Sequence, residues 1–429
     1  MKPLTDFLQG LRKSALVKTS LVYTLINFLN KAFPFFLLPL FTRALSLDEY
    51  GSFAIYRSTM NICIPIVGLS LSEAVIRKYY EKEKIDFGTY LFSVLFMNVI
   101  TLACCLLLAL ACGKGLYNVT RLPVGLICMA LLISFFTSVN NIERGLYRCE
   151  KRNRIFGIIV VGQSFCYFIA ISTLYIVHKL HLMPAVYVEV AVYFIFSIYG
   201  VWHIINKYNV RAHFKKEYVK SALRFSFPLI LNSIMAYIFA LSDRYLINYE
   251  LGAKEVAIYS ATFQLVSILQ IFAASFNTAW VHWIYESLTK HIAIQKLVRI
   301  QMLLIAGFFV AGLVFGIAVY KLLPLIAGEK YKNGLVLIGW FVGSNVLQAF
   351  YWIYSPILQF YNKNWFLLGA SVPAVIFSIA LNVNFLKTHG IIFAAIINCV
   401  SWFIIFIVTV FSCLYILRNA YKQIATQNL

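Results

Sequence analysis

Long apolar runs recur along the chain, and they constrain its fold more than any other feature. About twelve of them reach the roughly 20 residues that a helix needs to cross a bilayer. Inside lipid every backbone polar group must be satisfied within the protein, so runs of this length predict helices. The sequence therefore predicts an all-α integral membrane protein. Its spans lie near residues 18–41, 49–72, 88–112, 121–142, 155–177, 183–205, 225–248, 255–280, 299–325, 334–360, 364–386 and 390–416.

Charged residues are sparse and lie mainly between the apolar runs. They make up only 12% of the chain, against about a quarter in soluble domains. The 37 Lys and Arg exceed the 16 Asp and Glu, an excess that in a soluble protein would suggest nucleic-acid binding. Here 25 of these cations fall on the side that holds both termini and 10 on the opposite side, which predicts cytoplasmic termini. We therefore expect no nucleic-acid partner.

Two consecutive spans carry a cation at membrane depth. Lys31 lies near the middle of the first span, and Arg57 about two turns into the second, with no central carboxylate in either span. A charge at mid-membrane is costly and normally faces a protein interior or water. The two cations thus predict an electropositive cavity that receives an anion. The alternatives are that Lys31 reaches the membrane interface and that Arg57 pairs with an acid from another helix.

Polar residues continue the helical face on which each cation lies. Asn27 precedes Lys31 by four residues, and Asn61 follows Arg57 by four, so each pair shares one helix face. Polar stripes on otherwise apolar spans are typical of helices that face a cavity. Asn27 and Asn61 are therefore candidate substrate contacts beside the two cations.

The sequence predicts two halves of six spans each. The longest hydrophilic connection, Asn206 to Arg224, is a basic cytoplasmic linker near the midpoint. The pattern acid–x–small–x–aromatic occurs at 49–53 and again at 255–259. Six spans per half give parallel repeats, which predict two pseudo-symmetric lobes around a central cavity and transport by alternating access. The predicted lobes are residues 1–206 and 207–429.

Titratable and metal-binding residue types give few further candidates. Glu189 is an acid inside the otherwise uninterrupted sixth span; it either couples transport to an ion or neutralises a cation of the N-terminal lobe. The seven His show no metal-binding spacing, and most of the nine Cys lie within apolar runs. We expect no metal, no cofactor and no catalytic residues.

Two segments carry a resemblance to a known family. "FFLLPLFTRALSLDEYGSFAIYRS" (35–58) and "LRFSFPLILNSIMAYIFALSDRYLINYELGAKEVAIYSA" (223–261) resemble the openings of the two halves of Wzx-type polysaccharide flippases. These proteins belong to the multidrug/oligosaccharidyl-lipid/polysaccharide exporter superfamily. The resemblance implies a bacterial inner-membrane flippase that moves undecaprenyl-diphosphate-linked oligosaccharide repeat units for O-antigen, capsule or exopolysaccharide. It also implies contact with the polymerase and chain-length proteins of the same pathway.

The resemblance also bears on individual residues. Lys31 and Arg57 lie in the two spans where related flippases place cations of the lumen, and Arg244 corresponds to the family's Asp-Arg at the end of span seven. In the aligned part of span eight the chain has Phe263-Gln264 instead of a cation. Gln264 and Gln348 are among the polar residues of spans eight and ten that could contact the sugars.

Two other functions compete with the flippase. A drug or organic-cation exporter of the same superfamily, driven by protons or sodium, needs a carboxylate in its lumen, and the first span has none. A membrane polymerase typically needs a large external loop, and an acyltransferase needs a His–acid pair at a membrane edge; neither is evident here. The sequence therefore favours a transporter over an enzyme.

Overall fold

The computed structural model describes residues 15–290 and 293–427, with side chains described except at 15–25, 27, 28, 31, 294 and 419–427. In these ranges the secondary structure is helical, without strands. Nine helices are long and apolar enough to cross a membrane, or ten if one bent pair counts as a span, within the same ranges. The predicted all-α, multi-pass membrane architecture is confirmed. The count of twelve spans stays a prediction.

The described helices group into two compact units, divided between Tyr249 and Glu250. Unit 1 contains α1 (Ala15–Ala44), α2 (Leu47–Val67), α3 (Leu71–Tyr79), α4 (Phe87–Ala111), α5 (Gly113–Thr120), α6 (Val124–Cys149), α7 (Asn153–Ile176), α8 (Leu182–Tyr208) and α9 (Lys216–Glu250), of which only the last residue falls in unit 2. Unit 2 contains α10 (Ala253–Val266), α11 (Ile268–Thr289), α12 (Ile294–Ala327), a 3₁₀ helix (Glu329–Leu337), α13 (Ile338–Phe360) and α14 (Trp365–Gln427).

The division between the units differs from the lobe boundary at 206/207 expected from the sequence. Helix α9 packs within unit 1, where the Ser226 hydroxyl donates to the Ser70 carbonyl at 3.1 Å. Near the C-terminal end of α9, the Asn248 amide donates to the Thr120 carbonyl at 2.8 Å. Two side chains of α9 thus bond to earlier parts of unit 1. The 206/207 division into transport lobes stays a prediction.

Helix starts and breaks follow local chemistry. Ser46 and Glu49 form a capping box at α2, each side chain bonding the other's backbone N–H, at 3.1 and 3.0 Å. Asp86 caps α4 by accepting from the backbone N–H of Thr89 at 3.0 Å. That bond, and a second from the Thr89 hydroxyl, lower the pKa of the Asp86 carboxyl.

The second predicted span is broken rather than continuous. Helices α2 and α3 meet at 47°, and Leu69 and Ser70 between them both have φ of +46°. Left-handed backbone is uncommon for such residues and ends the helix there. A similar break lies inside α14, where Gly390 has φ 69° and ψ −169°. This is where predicted spans eleven and twelve meet.

One helix is central to the packing of each unit. In unit 1, α6 packs against α2, α3, α4 and α8. In unit 2, α13 packs against α11, α12 and α14. These central helices carry many of the buried polar residues described below.

Close backbone approach in unit 1 leads to a first prediction. A Cβ added at Gly88 of α4 would lie 2.7 Å from the backbone oxygen of Tyr208 at the end of α8. Because backbone cannot rotate away, Gly88→Ala should cost about 1–3 kcal/mol, the usual range for overpacking. We expect a melting temperature several degrees lower for the purified protein in detergent.

Gly125 provides a matched control near the start of another span. A Cβ there meets nothing within 4 Å. Gly125→Ala should therefore leave the melting temperature unchanged or raise it slightly, since alanine favours helix over glycine. Equal melting temperatures for the two variants would contradict the packing of α4 on α8.

Candidate functional site

Arg57 has an acidic partner on another helix. Its Nη1 on α2 donates to Oε1 of Glu189 on α8, forming an ion pair. The Glu189 side chain is fully buried, whereas that of Arg57 is 32% exposed. The expectation that Arg57 lacks an acidic partner is wrong, and the alternative of an acid from another helix is confirmed. The local sequence could not reveal this partner, because it lies 132 residues away.

Aromatic side chains surround the Arg57–Glu189 ion pair. Tyr56, Tyr167 and Tyr193 are close enough to interact electrostatically with Arg57. The Tyr56 hydroxyl lies beside the Glu189 carboxylate, although Glu189 Oε2 makes no hydrogen bond of ordinary geometry with the described residues. The guanidinium carbon also lies 5.8 Å from the ring centroid of Phe53. These rings and the full burial of Glu189 lower the local polarity, which strengthens the attraction within the ion pair.

Arg57 retains binding capacity beyond Glu189. A guanidinium carries five N–H donors, and here one nitrogen bonds to the carboxylate. No other hydrogen bond from this side chain to a described residue is present, and a third of its surface is accessible. Arg57 is thus neutralised but keeps N–H donors that bond to no described residue.

Arg244 lies on α9 of unit 1, next to a residue that contacts α2. Only 9% of the residue is exposed, and its Nη1 donates to the Ala240 carbonyl at 3.0 Å. Buried Tyr50 interacts electrostatically with both Arg244 and Arg57. The next residue on α9, Tyr245, shares a 2.8 Å hydrogen bond with Thr59 of α2. The structure thus joins Arg57 and Glu189, two of the residues that the sequence singled out, and buries Arg244 in the same unit.

The remaining predicted residues divide into three cases. Asn61 lies one turn beyond Arg57 on α2 and is partly exposed. Gln264 lies on α10 of unit 2 and is also partly exposed. Lys31 and Asn27 lie on α1, but their side chains fall outside the described residues. Their proposed contacts therefore stay predictions.

A buried acid that the sequence analysis missed lies on α6. Glu143 is completely buried, and neither carboxylate oxygen has a hydrogen-bond partner of ordinary geometry among the described residues. Its neighbour Arg144 donates instead to the Gln163 side chain on α7. Span four was expected to end at residue 142, whereas α6 continues to Cys149. The spacing of Asn140, Glu143 and Tyr147, which fits one helix face, was the available signal.

Buried charge is distributed unevenly between the two units. Among the described residues, the buried charged side chains are Glu143, Glu189, Asp243 and Arg244, all in unit 1. The buried polar residues of unit 2 that the structure describes are all uncharged, with amide or hydroxyl side chains. In the same ranges, no group of three or more His, Cys, Asp or Glu side chains could hold a metal ion.

Comparisons with known proteins place the chain in a family. The family model described as "Polysaccharide biosynthesis protein" matches residues 16–288, more than half of the chain. The chain belongs to this family. The "Lsg locus putative protein 1" of Haemophilus influenzae is 24% identical over 400 residues, covering 90% of this chain and 95% of that protein. The capsular polysaccharide biosynthesis protein CapF of Staphylococcus aureus is 23% identical over 324 residues, covering 73% and 78%.

Solved structures extend the comparison to the fold. The lipid II flippase MurJ in an inward closed conformation matches with a TM-score of 0.73 at 14% identity, covering 91% of this chain and 87% of that one. An inward-facing multidrug resistance MATE transporter of the MOP superfamily matches with a TM-score of 0.68 at 15% identity, covering 92% and 95%. The fold is therefore that of MOP-superfamily transporters. The resemblance to Wzx-type polysaccharide flippases, inferred above from the sequence, is confirmed.

Proposed function

We propose that this protein is a flippase that moves undecaprenyl-diphosphate-linked oligosaccharide repeat units across the bacterial inner membrane, by alternating access of two lobes. Both termini then lie in the cytoplasm. The units serve the synthesis of a surface polysaccharide, and the pathway's polymerase and chain-length proteins are the expected partners. In this proposal the chain itself catalyses no covalent reaction.

The position and exposure of Arg57 are the main support for this proposal. A diphosphate cannot cross hydrocarbon unaided, and a guanidinium binds phosphate oxygens through charge-assisted, bidentate hydrogen bonds. Arg57 lies within a span, keeps a third of its side chain accessible and has N–H donors to spare. Arg244, buried in the same unit, is proposed as a second cation of the site, and Lys31 as a third.

The ion pair suits a reversible binding site. Without cargo, Glu189 neutralises Arg57, so that no uncompensated charge is buried. When the diphosphate arrives, it shares or replaces the carboxylate at the guanidinium. We propose that this exchange lets the site bind the anion in one orientation and release it in the other.

Removal of the protein tests the function directly. A host that lacks this chain should lose its surface polysaccharide and accumulate lipid-linked repeat units on the cytoplasmic face of the membrane. Immunoblotting of the polymer and mass spectrometry of extracted lipids measure the two effects, with a plasmid-borne copy as the control.

A cation exporter of the same superfamily is the alternative. It predicts the opposite pattern: normal surface polysaccharide together with increased sensitivity to cationic drugs. That result would overturn the flippase proposal.

A further inference from the structure

Two amide side chains meet between the central helix of unit 2 and its neighbour. Gln270 of α11 donates through Nε2 to Oε1 of Gln348 on α13, at 2.7 Å. Gln270 lies in the first turn of α11 and Gln348 in the middle of α13, and both are only partly buried. The bond therefore joins α11 and α13 at a position that remains accessible.

This pair leaves one NH₂ group and one carbonyl oxygen wholly unused. An amide has one carbonyl oxygen and one NH₂ group, and one of these on each residue is engaged in the mutual bond. The other two, Gln270 Oε1 and Gln348 Nε2, bond to no described residue and are not enclosed. If the oxygen and nitrogen of both amides were interchanged, Gln348 would donate to Gln270, and one NH₂ group and one carbonyl oxygen would still be unused.

Aromatic and amide groups continue along the same two helices. Asn277 and Trp352 pack around a narrow gap between the helices together with Phe276 and Trp280. The side-chain oxygen of Asn277 is buried without a hydrogen-bond partner among the described residues. Flat apolar rings beside uncommitted amides are suited to an uncharged ligand with hydroxyl or amide groups.

We propose that the Gln270–Gln348 pair recognises a sugar of the transported repeat unit, one that presents an adjacent hydrogen-bond donor and acceptor, as a vicinal diol or an acetamido group does. This inference rests on the flippase function proposed above. The absence of buried charge among the described residues of unit 2 fits an uncharged ligand.

A purely structural role for the pair predicts a different outcome. Hydrogen bonds between amides also hold membrane helices together without any ligand. The test must therefore separate loss of sugar recognition from loss of folding. Replacing one glutamine leaves the other amide unpaired, whereas replacing both with leucine removes the whole pair at little cost.

Binding of two lipids to the purified protein in nanodiscs distinguishes these roles. One lipid is undecaprenyl diphosphate without sugar, and the other is the lipid-linked repeat unit extracted from a host that lacks the chain. For Gln270→Leu/Gln348→Leu we expect about a tenfold lower affinity for the repeat unit, the loss of one to two hydrogen bonds. Affinity for undecaprenyl diphosphate should be unchanged.

Gln359→Leu is the matched control on α13, since Gln359 only approaches the Tyr285 hydroxyl at 3.5 Å near the helix end. It should alter neither affinity. If the double variant binds both lipids less well by the same factor, or both as well as wild type, sugar recognition by the pair is wrong. If the unaltered protein binds neither lipid, the flippase function itself fails.

Discussion

Replacing Arg57 with glutamate is expected to abolish export of the surface polysaccharide. The substitution puts a second carboxylate beside Glu189 and repels the diphosphate that Arg57 is proposed to bind. Arg57→Ala should reduce export about ten- to a hundredfold, since a charge-assisted hydrogen bond contributes about 1.5–3 kcal/mol. Polymer at the cell surface is measured by immunoblotting, at protein levels matched to wild type.

A double neutral variant separates substrate binding from folding. Arg57→Gln/Glu189→Gln removes both charges of the ion pair, an exchange that is often neutral for stability. We expect this protein to reach the membrane at a normal level and still fail in export. Normal export by the double variant would mean that Arg57 serves only to neutralise Glu189, and the phosphate-binding role would be wrong.

Glu189→Gln alone should destabilise the protein more than the other carboxyl substitutions in unit 1. It leaves the Arg57 guanidinium without its counter-charge, and breaking a buried ion pair costs about 3–5 kcal/mol. We expect the lower end of that range, about 3 kcal/mol, because glutamine still accepts a hydrogen bond and Arg57 is partly exposed. In detergent the melting temperature should fall by about 3 °C.

Glu143→Gln is the matched comparison for this prediction. Glu143 is as deeply buried as Glu189, but its carboxylate bonds to no described residue in ordinary geometry. Removal of an unsatisfied buried carboxyl should leave stability unchanged or increase it. If Glu143→Gln lowers the melting temperature as much as Glu189→Gln does, the ion pair is not the main stabilising contact of Glu189.

Periodicity and length predicted the helices well, because they depend on neighbours within a few turns. The apolar runs give the membrane spans, and the stripe through Arg57 and Asn61 gives the face that carries the cation. The break at Leu69 and Ser70 was not predicted, since neither is a residue that usually marks a left-handed backbone. That conformation is set by tertiary packing, including the Ser226 contact to the Ser70 carbonyl.

Partners across helices could not be predicted from one sequence. Arg57 and Glu189 were both identified as unusual, but nothing in the spacing says that α2 and α8 meet at these residues. Glu143 was assigned to a loop because charge normally marks the end of a span. The helix continues because α8 encloses the side chain: a Cβ at Gly200 would lie 2.8 Å from Glu143 Oε2, so only glycine leaves room for the carboxyl group.

The ion pair between α2 and α8 also affects how this site responds to the membrane voltage. A single charge that crosses the whole membrane does work of about 2.3 kcal/mol per 100 mV. Arg57 and Glu189 carry opposite charges and are joined in one contact, so when they change depth together this work cancels. If either charge moved alone, the resting potential would oppose one direction of motion. Pairing therefore allows this site to move through the electric field of the membrane almost without cost while it carries no cargo.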